Sequence, residues 1–133
     1  MPILSYEGDS MERHVPLEDL EIYKLAQEIG ELIWSIVNRW DNYQRNAIGF
    51  QFVRAADSIS ASIAVGYGRY FYKDRRNFCY YGRGSIMETK TWAKKTVYRN
   101  LITVLEYQSL TEKLDFLHLR LNGYIKSLQI SAG

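Results

Sequence analysis

From Leu17 to Trp40 apolar residues recur at steps of three and four: Ile22, Leu25, Ala26, Ile29, Ile33, Ile36, Val37 and Trp40. That is the period of a helix with one buried face. Pro16 suits the entry, and Glu18, Asp19 and Glu21 complement the positive end of the dipole, so the pattern predicts a helix over about 17–40. The polar stretch from Asp41 to Asn46 then reads as the first connection. A second helix, over about 47–66, carries Phe52, Ala56, Ile59 and Ile63 on one stripe, with small residues around it. Gly66 and Gly68 fit its end, where glycine takes the left-handed conformation without steric penalty. A third, over about 73–102, starts near Asp74 as N-cap and is interrupted by Gly82 and Gly84, which points to a tight helix crossing. The fourth, over about 110–129, opens with the capping-box spacing Ser109-x-x-Glu112 and runs Leu110, Leu114, Leu117, Leu121, Tyr124, Leu128.

No segment alternates in the manner of a strand, so the expected fold is all-α: an antiparallel up-and-down four-helix bundle with short connections over 16–130. Residues 1–15 read as a flexible N-terminal tail. With a turn centred near Phe71, antiparallel geometry sets Arg54 level with Glu88 and Ser58 opposite Gly84. An Arg54–Glu88 ion pair across a helix contact whose closeness Ser58 and Gly84 allow is one expectation; two solvated charges are the other.

Length and composition narrow the class. The chain has 133 residues, enough for one domain, and its 47% apolar share excludes wholesale disorder. A single cysteine excludes a disulfide framework and a cysteine-based zinc cluster. No run has the apolar length of a membrane span, and the N-terminus lacks signal-peptide character, so a cytoplasmic protein is expected. The net charge of +2 conceals strong polarisation: residues 1–68 carry 5 basic and 10 acidic side chains, residues 69–99 carry 9 and 2, and residues 100–133 carry 3 and 3.

The block Gln51-Phe52-Val53-Arg54-Ala55-Ala56-Asp57-Ser58-Ile59, followed by Ala64-Val65-Gly66-Tyr67-Gly68-Arg69, resembles the Q-x-x-R-A-A-x-S-I … N-I-A-E-G-x-G-R signature of the bacterial four-helix-bundle family named after proteins encoded in intervening sequences of 23S rRNA genes. Arg83-Gly84-Ser85-Ile86-Met87-Glu88 resembles its R-G-S-L-x-E block, and Leu20-Glu21-Ile22-Tyr23-Lys24-Leu25-Ala26 its opening L-x-V-Y-x-L-A. Val65 stands at the usual Glu, Ser62 at the usual Asn, and Gly82 where Ala is common. The resemblance implies a bundle that assembles with itself into a ring, commonly a homopentamer, without established catalytic activity. Accessory variability proteins of diversity-generating retroelements are distantly similar, and they imply nucleic acid and a reverse transcriptase or other nucleic-acid enzyme as partners.

The candidate chemistry lies in the basic third helix. Arg69, Arg76, Arg83 and Lys90 are seven residues apart, and Lys73 and Lys94 lie four beyond Arg69 and Lys90. Seven residues is nearly two turns, so the helical members form a stripe suited to RNA or DNA phosphates. The other reading is a structural or protein-interaction scaffold in which the stripe forms subunit contacts. The 14% aromatic content exceeds what a four-helix core absorbs, and tyrosine is favoured at interfaces, so an oligomer is expected. Asp115-x-x-His118 falls short of a di-iron set, which needs a second such pair and two more carboxylates. Cys79 reads as a packed small hydrophobe. With no metal, cofactor or nucleophile constellation in the pattern, the expectation is a protein that is not an enzyme.

Overall fold

The structure, a computed structural model, describes residues 15–132; the expected tail lies outside the described residues except for Val15. Four helices account for the described chain, α1 (Glu21–Asn38), α2 (Phe50–Tyr67), α3 (Tyr72–Tyr98) and α4 (Val104–Ala132), with no strand among these residues. None of the four is long and apolar enough to cross a membrane.

The ends of these helices differ from the pattern-based expectation for identifiable reasons. Leu17–Asp19 forms a separate 3₁₀ turn and Leu20 is extended, so α1 starts at Glu21. The expected loop after α1 is helical instead. Asp41 caps it reciprocally: its Oδ1 accepts from the Gln44 N–H at 2.8 Å while Gln44 Oε1 accepts from the Asp41 N–H at 3.2 Å. The turn Asn42–Gln44 then runs through a π-helical segment, Arg45–Gly49, into α2. Gly49 is required there, because a Cβ would lie 2.7 Å from Val37 Cγ1 on α1.

α3 begins at Tyr72 behind an extended Phe71 without a side-chain cap, and Asp74 sits within its first turn rather than capping it. It ends at Tyr98 because Asn100 turns left-handed (φ 60°). The Leu101 N–H then reaches back to Thr96 O (2.9 Å) and the Asn100 N–H to Val97 O (3.2 Å), a Schellman closure. α4 starts five residues before Ser109: Thr103 Oγ1 accepts from the Glu106 N–H (3.0 Å) and Glu106 Oε1 from the Thr103 N–H (2.9 Å). Ser109 and Glu112 are interior positions.

Neighbouring helices run in opposite directions, which makes the bundle antiparallel in the cyclic order α1, α2, α3, α4. The core is formed by Ile29, Ile33, Phe52, Ile59, Ile63, Ile86 and the leucines at 110, 114, 117, 121 and 128, all fully buried. The α2–α3 contact is the tight one. Ser58 Oγ donates to Ser85 Oγ at 2.8 Å, so Ser85 rather than Gly84 faces Ser58. Gly82 lies against Ile59, Ser62 and Ile63, whereas Gly84 faces outward with nothing within 4 Å of a Cβ placed on it. A Cβ on Gly82 would make ordinary contacts of 3.6–3.8 Å, so the close crossing belongs to Gly66. At Gly66 a Cβ would meet Phe78 Cβ at 2.9 Å and Arg75 O at 3.1 Å. Neither Gly66 nor Gly68 is left-handed: Gly66 lies within α2, and Gly68 closes it at φ −79°, ψ −3°. Close approach is thus what Gly66 provides.

The α1–α4 seam is built differently. Glu21 accepts from Arg120 Nε (2.8 Å), Glu28 from Lys113 Nζ (3.2 Å) and Glu106 from Arg39 Nη2 (2.5 Å), a ladder of exposed ion pairs. Each rung borders an open groove, lined in turn around Leu20 and Tyr124, Leu25 and Phe116, and Leu32 and Ser109.

Candidate nucleic-acid interface

α3 carries the basic residues, and its two neighbours decide where each one points. Arg83 Nη1 donates to Asn122 Oδ1 on α4 (2.8 Å), and its guanidinium lies over the Tyr80 ring at 5.0 Å. Lys90 Nζ pairs with Asp115 Oδ1 on α4 at 2.5 Å. These two fix the α4-facing side of α3, and helical spacing adds Arg76, half-buried, and Lys94, exposed. From Arg76 to Lys94 this side extends about 27 Å at 1.5 Å per residue. Lys73, also exposed, lies in the first turn of α3.

Arg69 does not join them. It belongs to the short link between α2 and α3, and its guanidinium stands 4.9 Å from the ring centroid of Phe78, the residue whose Cβ lies against Gly66 on the α2-facing side. The seven-residue spacing that aligned it with the stripe holds only inside the helix. Four basic residues therefore share one face, Lys73 sits near its start, and Arg69 is turned away.

Arg75, outside the heptad spacing, is the buried cation of this region. Its Nε donates to Arg69 O at 2.9 Å, and its guanidinium lies 5.5 Å from the Tyr67 ring and 5.7 Å from the Tyr72 ring. It organises the α2–α3 link from within, while the Tyr67 hydroxyl donates to Val15 O and holds the start of the described chain against the same end. Position 75 was legible only as one more charge in a basic run.

The structural residues fall along the α2–α3 contact. Arg54 Nη2 lies 3.8 Å from Glu88 Oε2, with side chains 55% and 41% exposed, so the two charges meet at the surface rather than in a buried site. Arg54 also donates to Gln51 Oε1 (3.0 Å), and Trp92 Nε1 donates to Glu88 Oε2 (3.2 Å).

Groups suited to other chemistry are dispersed or engaged. Asp115 is taken by Lys90, and no cluster of three or more His, Cys, Asp or Glu among the described residues could hold a metal ion. Burial pushes the Cys79 thiol up to about 12, against the smaller opposing pull of Arg75, which leaves a protonated, packed side chain. Asp57 is also raised, first by burial and then by the Glu31 charge; its carboxylate sits beside Gly30, and the neighbouring Ser58 and Ser60 hydroxyls are bonded to Ser85 and to the Asp57 carbonyl.

Among solved structures, the chain is similar to a protein of unknown function from the S23 ribosomal protein family of Bacteroides thetaiotaomicron VPI-5482. The TM-score is 0.71 at 19% identity, over 79% of this chain and 98% of that one, which is a likeness of fold. A search of curated proteins found no match. The family model described as 23S rRNA-intervening sequence protein matches residues 18–123. The chain therefore belongs to the 23S rRNA-intervening sequence protein family.

Proposed function

We propose that this protein is a non-enzymatic, homo-oligomeric bundle that binds RNA or DNA phosphates along the α3–α4 face, as a cytoplasmic accessory to nucleic-acid processing. The observation that supports this reading is the alignment of Arg76, Arg83, Lys90 and Lys94 over about 27 Å with Asp115 as the acidic side chain paired to it. Guanidinium and ammonium groups at that repeat suit a phosphate chain, and copies arranged in a ring, such as a pentamer, multiply the positive surface. Exposed Trp34, Phe50 and Tyr81 supply the apolar area that self-association needs.

The test is fluorescence anisotropy with RNA and DNA across a salt series, with light scattering to fix the oligomer. Each cation removed from the phosphate chain lowers the salt slope by about 0.9 for duplex DNA. The triple variant Arg76→Gln, Arg83→Gln, Lys90→Gln is therefore expected to flatten the slope by roughly 2–3 and to weaken binding to every sequence alike. Absence of binding at low salt, or unchanged binding by the triple variant, refutes the reading.

A scaffold role is the second reading. It is favoured by the bonds that tie Arg83 and Lys90 to α4, which leave these two cations partly satisfied within the subunit. In that case the triple variant changes the light-scattering mass, and neither protein binds nucleic acid.

A further inference from the structure

At one end of the bundle, where the α1–α2 connection meets the α3–α4 loop, Tyr43, Gln44, Ala47, Ile48, Arg99 and Leu101 line an open groove of about 330 Å³. That volume is at the lower end of the range for small-molecule sites, about 300–1,000 Å³. Its walls are held by features of the two connections. The reciprocal cap between Asp41 and Gln44 fixes the turn that carries Tyr43. The π-helical segment brings Ile48, buried, beneath the opening. The left-handed Asn100 separates Arg99 from Leu101, and Trp40 Nε1 donates to Leu101 O at 3.0 Å, locking the loop to the α1 end.

The chemistry of the lining is mixed in a specific way. Ile48 and Leu101 give an apolar floor. Tyr43, 80% exposed, offers an open ring face, and Gln44, whose Oε1 is used by the Asp41 N–H, keeps its amide –NH₂ as a donor. The Arg99 guanidinium engages no carboxylate among the described residues. The two acids of this end are already taken, Asp41 by the Gln44 N–H and Glu106 by Arg39 and Thr103. A planar heterocycle carrying a phosphate satisfies all of these at once, with stacking on the phenol ring, hydrogen bonding to the amide and charge on the guanidinium. Lys95 stands one turn before Arg99, and Lys94 beside it closes the basic face, so the groove lies at the same end of the bundle as the last cation of that face.

We infer that this groove holds one unpaired base of a single-stranded nucleic acid, with an adjacent phosphate on Arg99. The inference rests on the phosphate-binding reading of the α3–α4 face and adds to it a preference for single strands. A duplex tracks charge along the face but offers no free base to the groove.

Two measurements test it. In the first, the anisotropy of a labelled single-stranded RNA and of a duplex of equal length is compared for the full chain and for Tyr43→Ala and Arg99→Gln. Both side chains are exposed, and unchanged circular dichroism is expected. Loss of one stacked base weakens binding by about fivefold or more, so single-strand affinity is expected to fall by at least that factor in Tyr43→Ala, and by several-fold in Arg99→Gln through the lost phosphate contact, while duplex affinity stays within about twofold. Equal losses on both probes, or none, overturn the inference and leave the stripe reading standing. In the second, adenosine 5′-monophosphate is titrated into labelled protein. Saturable shifts at residues 43–48 and 99–101 that vanish in Tyr43→Ala support the inference. No shift overturns it. Shifts in a protein that binds neither polymer overturn the single-strand assignment and the phosphate-backbone reading together, and identify the free nucleotide as the source of the base.

Discussion

Replacing two glycines by alanine separates close approach from helix propensity within one protein. In a helix interior alanine is favoured over glycine by about 1 kcal/mol. At Gly84 a Cβ meets nothing within 4 Å, so Gly84→Ala is expected to gain about that much, an increase in Tm of roughly 3–5 °C for a domain of this size. At Gly66 the same methyl arrives 2.9 Å from Phe78 Cβ and 3.1 Å from Arg75 O. Neither atom is the end of a flexible side chain. Relief requires α2 and α3 to separate by several tenths of an ångström along a contact that also holds the Ser58–Ser85 hydrogen bond and the cradle of Arg75. Overpacking of this kind costs about 1–3 kcal/mol, and Gly66 lies one residue from the end of α2, where the propensity gain is smallest. Gly66→Ala is therefore expected to lose about 1–2 kcal/mol, with some 2–3 kcal/mol between the variants. Urea unfolding followed by far-UV circular dichroism, at one protein concentration because any self-association would feed into apparent stability, reads the difference directly. Equal stability of the two variants, or a more stable Gly66→Ala, refutes the assignment of the crossing to Gly66.

Glu88→Gln should cost less than about 1 kcal/mol, since its partner Arg54 is 3.8 Å away at the surface; a larger loss in urea unfolding would show a buried pair. Thr103→Ala should destabilise by about 1 kcal/mol through loss of the α4 cap, whereas Ser109→Ala should leave stability within about 0.5 kcal/mol. Burial pushes the Glu106 carboxyl up, but the Thr103 N–H and the Arg39 guanidinium outweigh it and hold the group below its ordinary value of 4.5. Its contribution to stability is present above that pH and is lost as pH falls through the lowered folded value, so Glu106→Gln should be less stable at neutral pH and show a flatter decline in Tm during acid titration. Cys79 should resist alkylation at pH 8 in the native protein and react on unfolding; rapid native labelling would contradict its burial.

The four helices were legible because their core residues repeat at helical spacing, and α1 shows why: its buried Ile22, Ala26, Ile29, Ile33, Ile36 and Val37 leave no second interpretation. The boundaries were less so. Val104 and Leu105 are exposed at 62% and 77%, so they break the apolar rhythm of α4 and hid its true start. Thr103-x-x-Glu106 and Ser109-x-x-Glu112 carry the same signature, and local spacing alone does not choose between them. Gly82 and Gly84 are likewise equivalent in sequence. Only the register of α3 on α2 decides which one faces a neighbour. The basic stripe was legible as charge, but its partners Asn122 and Asp115 come from a helix some thirty residues away. Arg69 falls off the stripe because heptad arithmetic does not extend one step beyond the helix. The end groove joins residues 43–48 to 99–101, a juxtaposition that no local pattern encodes.

The contrast between the two long seams has a consequence for how the molecule assembles and breathes. α2 and α3 are neighbours in the chain, joined by a link of four residues, and their contact is close at Gly66, so it can form early at little loop-closure cost. α1 and α4 bring together the most distant parts of the described chain, and their outer edge is a row of exposed charge pairs, each bordering an open groove. That seam is expected to act as a clasp that closes last during folding and opens first in the native state. Salt should loosen it selectively, so amide protons of α1 and α4 should exchange faster at high ionic strength while those of the α2–α3 hairpin keep their protection.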